Sequence, residues 1–271
     1  DSIRTTERKS CVQEGFLPVP ISSVPPESLC GLEIFIYTAP TYNLYKSSDL
    51  EFGVKDYQRL LNAGTQYVYI ETKNHQKYYD AIENTLAAIV NDKSIAIERK
   101  CEILYATTLA LANELTATPP EAKTISKAHK HTQHTINLVL KNPNSFGHLF
   151  NISNHDFFTA THASNVSIMM VSFAHKIGIR DLDLLNEIGT GGLLHDVGKI
   201  FVPKELLNTS ETLTTDEYEL IQSHVAKGVE HLASKTEISE VVVKIVSEHH
   251  EKLDGSGYPN KLKDDDISIY G

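Results

Sequence analysis

The sequence predicts a mainly helical chain in two parts, a small α+β module at the N-terminus and an all-α domain after it. Three observations carry this. Strand-like patterning and frequent prolines are confined to about the first 75 residues. From about Gln76 the apolar residues Ile82, Leu86, Ile89 and Val90 recur at i, i+4, i+7 and i+8, the period of an amphipathic helix. Beyond Asn154 strand signals are absent and four helix patterns follow one another. These features divide the chain into a regulatory or sensory α+β module (1–75), a helical linker region (76–150) and a C-terminal helical domain (151–271).

Within the first part, Phe16 to Val24 is apolar but interrupted by Pro18 and Pro20 and followed by Pro25 and Pro26. Leu32–Tyr37 reads as a strand, Tyr42–Tyr45 as its hairpin partner and Tyr67–Glu71 as a third strand. Val54–Asn62 fits a short helix, and Gly64 stops it. In the middle part, Ile103, Leu104, Leu111 and Leu115 continue the helical theme after a break near Asp92–Ser94, until Pro119–Pro120 ends the block. A further helix spans Glu121 to Leu140 and stops at Asn142–Pro143. An exposed apolar stripe in this region would favour a homodimer. The last part holds candidate helices at Asp156–Ile177, Asp181–His195, Thr215–Ala233 and Ile238–His250, each opening near an Asp, Thr or Ser able to cap it.

Composition excludes some function classes. The net charge is −10 over 271 residues, which argues against a nucleic-acid polymer as partner, since such binding needs a basic footprint. A small anionic ligand stays compatible, because a metal ion can dominate the local field. The three cysteines, Cys11, Cys30 and Cys101, form no paired motif and suit a reducing cytoplasm. No apolar run approaches the ~20 residues of a membrane span, and no signal peptide is visible at the start.

The chemistry lies in the histidines, thirteen in all. His162, His195, His224 and His249 stand 33, 29 and 25 residues apart, about one helix and one turn each time. Four successive helices can thus deliver ligands to one centre. Asp196 follows His195 directly, and His250 follows His249. Imidazole and carboxylate without thiolate suit iron, manganese or zinc. A carboxylate beside a histidine can bridge two ions, and two ions ~3.5–4 Å apart clamp a phosphate and acidify a shared water. Lys199, four residues after His195, reaches the same side. By contrast His129, His131 and His134 read as a solvated or interdomain face, with only His131 and His134 on a common side, and the tyrosine-rich run Tyr67–Ile70 reads as core.

Here a resemblance enters. His195-Asp196-Val197-Gly198-Lys199 resembles the HD core of the HD phosphohydrolase superfamily. His249-His250-Glu251-Lys252-Leu253-Asp254-Gly255-Ser256-Gly257-Tyr258-Pro259 is similar, position for position, to the signature of the HD-GYP family. The resemblance covers roughly Asp156 to Gly271. It implies a phosphodiesterase of cyclic di-GMP, yielding pGpG or GMP, with a multinuclear centre that is often iron. It further implies metal ligation by His162, His195, Asp196, His224, His249 and His250. Asp196 would also hold the nucleophilic water, and Lys199 would act at the scissile phosphate. Gly255, Gly257, Tyr258 and Pro259 would form a loop beside the substrate.

The sequence departs from the family at two points. Phe158 stands where members with three metals carry Glu, so two divalent ions are expected. The sequence ends at Tyr270–Gly271, before the helix that supplies the family's further Asp ligand, and Asp264, Asp265 and Asp266 read as loop residues. Two alternatives therefore stand beside the cyclic di-GMP enzyme. One is a weak or inactive domain that binds a nucleotide or a signalling-protein partner, and the other is a phosphodiesterase of a different cyclic dinucleotide.

Overall fold

The computed structural model describes residues 15–21, 26–93, 95–142, 144–153, 159–209 and 211–271. Phe158 and the expected helix start at Asp156 lie outside the described residues. The chain divides into two compact units, 1–88 and 89–271.

The first unit is a four-stranded antiparallel sheet with two helices. Its strands are β1 (Phe16–Pro20), β2 (Ile34–Thr38), β3 (Thr41–Lys46) and β4 (Tyr67–Glu71), in the order β1-β4-β2-β3. The prolines that interrupted Phe16–Val24 do not prevent a strand. β1 lies at the sheet edge and pairs on one side, with Pro18 opposite Tyr69, so the missing N–H groups cost little there. α1 (Val54–Asn62) falls where its pattern put it, and α2 (His75–Asn91) follows β4. Val68 and Ile70 are fully buried with Val19, Ile34, Phe52, Leu60 and Ile82. The alternate residues of the same strand emerge on the other face, where Tyr69 meets Tyr42 edge-on at 5.0 Å and Phe16 stacks on Tyr42 at 4.1 Å. The run Tyr67–Ile70 is thus core on one face only, as the period of two dictates.

The second unit is helical: α3 (Ile97–Ala117), α4 (Ala122–Lys141), α5 (Ser145–Ser153), α6 (Thr159–Lys176), α7 (Leu182–Leu194), α8 (Lys204–Leu207), α9 (Thr215–Ala233) and α10 (Glu240–Glu248). The region expected as a linker is not a separate body: α3, α4 and α5 belong to this unit. Their apolar residues explain why. Leu111, Leu115 and Ile125 share one buried cluster with Leu193, Leu194, Leu232, Val242 and Val246. Each such large side chain taken from water contributes about 1.5–3 kcal/mol, so these residues help hold the unit together.

α7 runs through the middle and owes its place to glycines. A Cβ at Gly189 would come within 2.4 Å of Thr132 on α4, one at Gly191 within 2.3 Å of Ile245 on α10, and one at Gly192 within 2.7 Å of the Ser167 backbone on α6. Three neighbours therefore approach α7 closely from three sides. Asp181 caps its start by accepting from the N–H groups of Asp183 and Leu184. Its other end delivers His195 and Asp196 into the centre of the bundle. α9 opens on a reciprocal capping box between Thr214 and Glu217, and Ser239 caps α10. α10 ends at Glu248, so His249 and His250 sit just past the helix instead of inside it. No described helix is long and apolar enough to cross a membrane.

Candidate metal centre

The six residues named from the sequence as ligands come together. Two groups of side chains have ligand atoms within 4.8 Å of one another: Asp196, His224, His249 and His250 in one, and His162, His195 and Asp196 in the other. Asp196 is common to both, and its two oxygens divide between them. Oδ2 lies 3.3 Å from His195 Nε2 and 3.9 Å from His162 Nε2. Oδ1 lies 3.4 Å from His224 Nε2 and 3.8 Å from His249 Nε2. His195, Asp196 and His224 are buried, and the His162 side chain, 51% exposed, marks the open edge of the centre.

Three of the rings are fixed in one tautomer by their own helices. His195 Nδ1 donates to the Gly192 carbonyl at 2.8 Å, His224 Nδ1 to Ile221 at 2.7 Å and His249 Nδ1 to Val246 at 2.9 Å. A carbonyl can only accept, so in the neutral ring the proton sits on Nδ1 and Nε2 is bare. Two of these bare nitrogens face one another, His224 and His249 Nε2 at 3.3 Å, and the bare His195 Nε2 lies 3.1 Å from His162 Nε2. They also face a carboxylate whose Oδ1 is buried with no hydrogen-bond donor among the described residues. Lone pairs and negative charge gathered this closely call for a cation.

The titration behaviour agrees. Burial drives His249 down to about 3 and His250 down to about 4, with the neighbouring rings adding to it, so both imidazoles stay neutral and able to ligate at neutral pH. His162 is lowered for the same reason. Burial alone would raise the Asp196 pKa. The facing His195 and His224 rings and the Lys199 ammonium outweigh it and hold the carboxyl well below the ordinary carboxylate range. The donor set, the split carboxylate and the orphaned oxygen fit divalent cations.

Lys199 lies on a 3-10 turn, Val197–Phe201, and donates to Asp196 Oδ2 at 2.7 Å. Tyr258 stacks on the His250 ring at 4.5 Å, and its N–H donates to the His250 carbonyl, which brings the Gly255–Pro259 loop against the centre. Burial pushes the Tyr258 phenol up to about 12, so it stays protonated. Gly257 is required by close approach, since a Cβ there would meet the Glu251 backbone at 2.5 Å. Asp264–Asp266 form a single short 3-10 turn.

Sequence reasoning missed Glu251, whose carboxylate accepts from the Asn260 and Leu262 N–H groups at 2.6 and 2.9 Å and ties the loop to the His249–His250 step. The signal was its place directly after the histidine pair. The solvated or interdomain face expected for His129, His131 and His134 is corrected at His131. His131 is buried, hydrogen-bonded to Thr108 Oγ1 at 2.6 Å, and desolvation takes its pKa down to about 3. His129 reaches Thr190 and the Glu237 carbonyl.

Comparison with known proteins places this geometry. Residues 151–271 match the model of the HD domain family. A cyclic di-GMP phosphodiesterase of Pseudomonas aeruginosa is 36% identical over 131 residues, 48% of this chain and 31% of that protein. A 3'3'-cGAMP-specific phosphodiesterase of Vibrio cholerae is 40% identical over 114 residues, 42% of this chain and 22% of that protein. The chain thus spans less than a third of the length of these relatives. An HDG"Y"P protein from Bdellovibrio bacteriovorus shares the fold, with a TM-score of 0.67 at 20% identity over 94% of this chain and 83% of that one. The stretch from 151 to 271 is thus similar to HD domains, and the His195–Asp196 pair with the run from His249 to Pro259 carries its likeness to the HD-GYP kind.

Proposed function

We propose that the second unit is a cyclic dinucleotide phosphodiesterase that hydrolyses cyclic di-GMP, with His162, His195, Asp196, His224, His249 and His250 holding two divalent ions. The observation that carries this reading is the Asp196 carboxylate, shared between two histidine groups with one buried oxygen lacking a donor among the described residues. Iron suits the donor set, and manganese and zinc are the alternatives. Bound there, the ions would supply Lewis acidity toward the phosphodiester and toward a water.

The chain's own residues do the rest. The three helix-anchored rings keep their Nε2 atoms aimed inward with no rearrangement. Asp196 accepts a hydrogen bond from an attacking water and orients it. The Lys199 ammonium, partly exposed beside Asp196, turns to the phosphate, neutralises charge as it builds and delivers a proton to the leaving oxygen. Gly255, Gly257, Tyr258 and Pro259 wall one side of the substrate, with the Tyr258 hydroxyl as a neutral donor. Glycine at 257 lets that wall come close.

A second substrate is favoured by one observation, the 40% identity to a relative that is specific for 3'3'-cGAMP. The test is anaerobic metal analysis of the purified protein, with cyclic di-GMP and 3'3'-cGAMP turnover followed chromatographically in the same sample. About two ions per chain with linear product from cyclic di-GMP supports the first reading. Product from 3'3'-cGAMP alone replaces the substrate, and neither metal nor product leaves a binding module.

A further inference from the structure

We infer that Gly228 is a positioning residue: with Gly198 it forms a backbone-to-backbone seat that sets the distance between Asp196 and His224, and so holds together the group of Asp196, His224, His249 and His250. The inference rests on the metal reading above.

The 3-10 turn Val197–Phe201 that follows Asp196 lies directly on α9. A Cβ at Gly198 would stand 1.8 Å from the His224 carbonyl oxygen and 2.7 Å from the Gly228 nitrogen. The turn therefore rests on the stretch of α9 between His224 and Gly228, one helical turn. From the other side, a Cβ at Gly228 would lie 3.3 Å from the Gly198 nitrogen, 3.5 Å from its Cα and 3.3 Å from Val246 Cγ1 on α10. A second attachment fixes the far end of the same turn, where Lys227 Nζ donates to the Phe201 carbonyl at 3.2 Å. Both ends of the 3-10 turn are thus pinned to the helix that carries His224.

The consequence is selective. Asp196 is two residues from Gly198, and its Oδ1 faces His224 Nε2 at 3.4 Å. His195 is its chain neighbour, and His162 stands on α6. Lifting the turn off α9 moves Asp196 away from the His224 side and leaves its relation to His195 nearly unchanged. The two glycines grade the displacement. Alanine at 228 meets contacts of 3.3 Å, which yield by a few tenths of an ångström, whereas alanine at 198 meets backbone and forces the turn away.

The test is Co(II) binding to the full chain, followed by absorption during titration, for the wild type, Gly228→Ala, Gly198→Ala and a Gly147→Ala control, where an added Cβ meets nothing within 4 Å. The wild type is expected to bind in two resolved steps. In Gly228→Ala one step is unchanged and the other weakens by about 10-fold, the usual cost of disturbing the support of a ligand, with a changed Co(II) spectrum for that step. Circular dichroism of the metal-free variant checks that the helices persist. Gly198→Ala loses the weakened step altogether. Equal weakening of both steps, or no change in either, overturns the proposal while leaving the metal reading in place. A wild-type chain that binds no Co(II) overturns both.

Discussion

Asp196→Asn keeps the shape of the side chain and removes one charge, and the structure says what that charge is worth. Both histidine groups meet at this residue, with ring nitrogens 3.3–3.9 Å from its oxygens. Unit charges ~4 Å apart interact by about 4 kcal/mol at an effective dielectric constant of about 20. The exposed edge at His162 lowers the figure for that group. At about 1.4 kcal/mol per tenfold, each ion should lose affinity by on the order of 10²- to 10³-fold. The distinguishing expectation is that both ions are affected, because one carboxylate serves both groups. Chelator competition with Mn(II) or Zn(II) reads the two affinities, and circular dichroism checks that the helices persist. An Asn variant that still binds two ions within about threefold of the wild-type affinity would refute the shared-carboxylate argument.

Other expectations follow from the same geometry. His250→Ala removes a ligand of one group only, so about one ion per chain should remain by elemental analysis while cyclic di-GMP turnover falls by at least two orders of magnitude. Glu251→Gln weakens two hydrogen bonds to a charged acceptor, worth about 1.5–3 kcal/mol each, and should expose the 253–263 loop to limited proteolysis with metal content unchanged. His131 is lowered from 6.5 to about 3 by burial. The unfolded chain therefore takes up a proton that the folded chain refuses between these values, and stability falls as pH falls through that window. The slope is about 1.4 kcal/mol per pH unit. Thermal melts of the metal-free protein between pH 7 and 4 should show His131→Gln flattening that dependence; an unchanged slope would remove His131 from the account.

Much of this centre is legible in the sequence because metal ligation needs particular atoms, and particular atoms need particular residues. His162 and His224 could be singled out from their spacing together with the family resemblance, and His249 and His250 from the run that ends at Pro259. α9 could be bounded at Thr215 because the Thr214–Glu217 box is a local interaction. What stayed hidden depends on contacts distant in sequence. Nothing local to Phe16–Pro20 says that its prolines fall on a sheet edge. Nothing local to Leu111 and Leu115 says that their stripe is met by Leu194 and Val246. His131 read as part of a solvated or interdomain face because its partner, Thr108, lies on another helix. Gly228 carries no local signal, because its meaning is the backbone crossing above it.

The anchoring of three imidazoles to carbonyls three residues earlier in their own chain has a wider bearing. Each ring is held by the turn that carries it, so its direction is a property of one helix and does not depend on what fills the centre. Ions can leave and return without side chains having to be re-ordered, and little conformational entropy is spent on loading. The same tether makes the rings rigid pointers. A small rotation of α9 or α10 about its axis swings an Nε2 atom by a proportionate arc, so any partner or nucleotide that turns one of these helices changes the spacing between nitrogens directly. The colour of a bound Co(II) ion would then report helix motion at ångström scale.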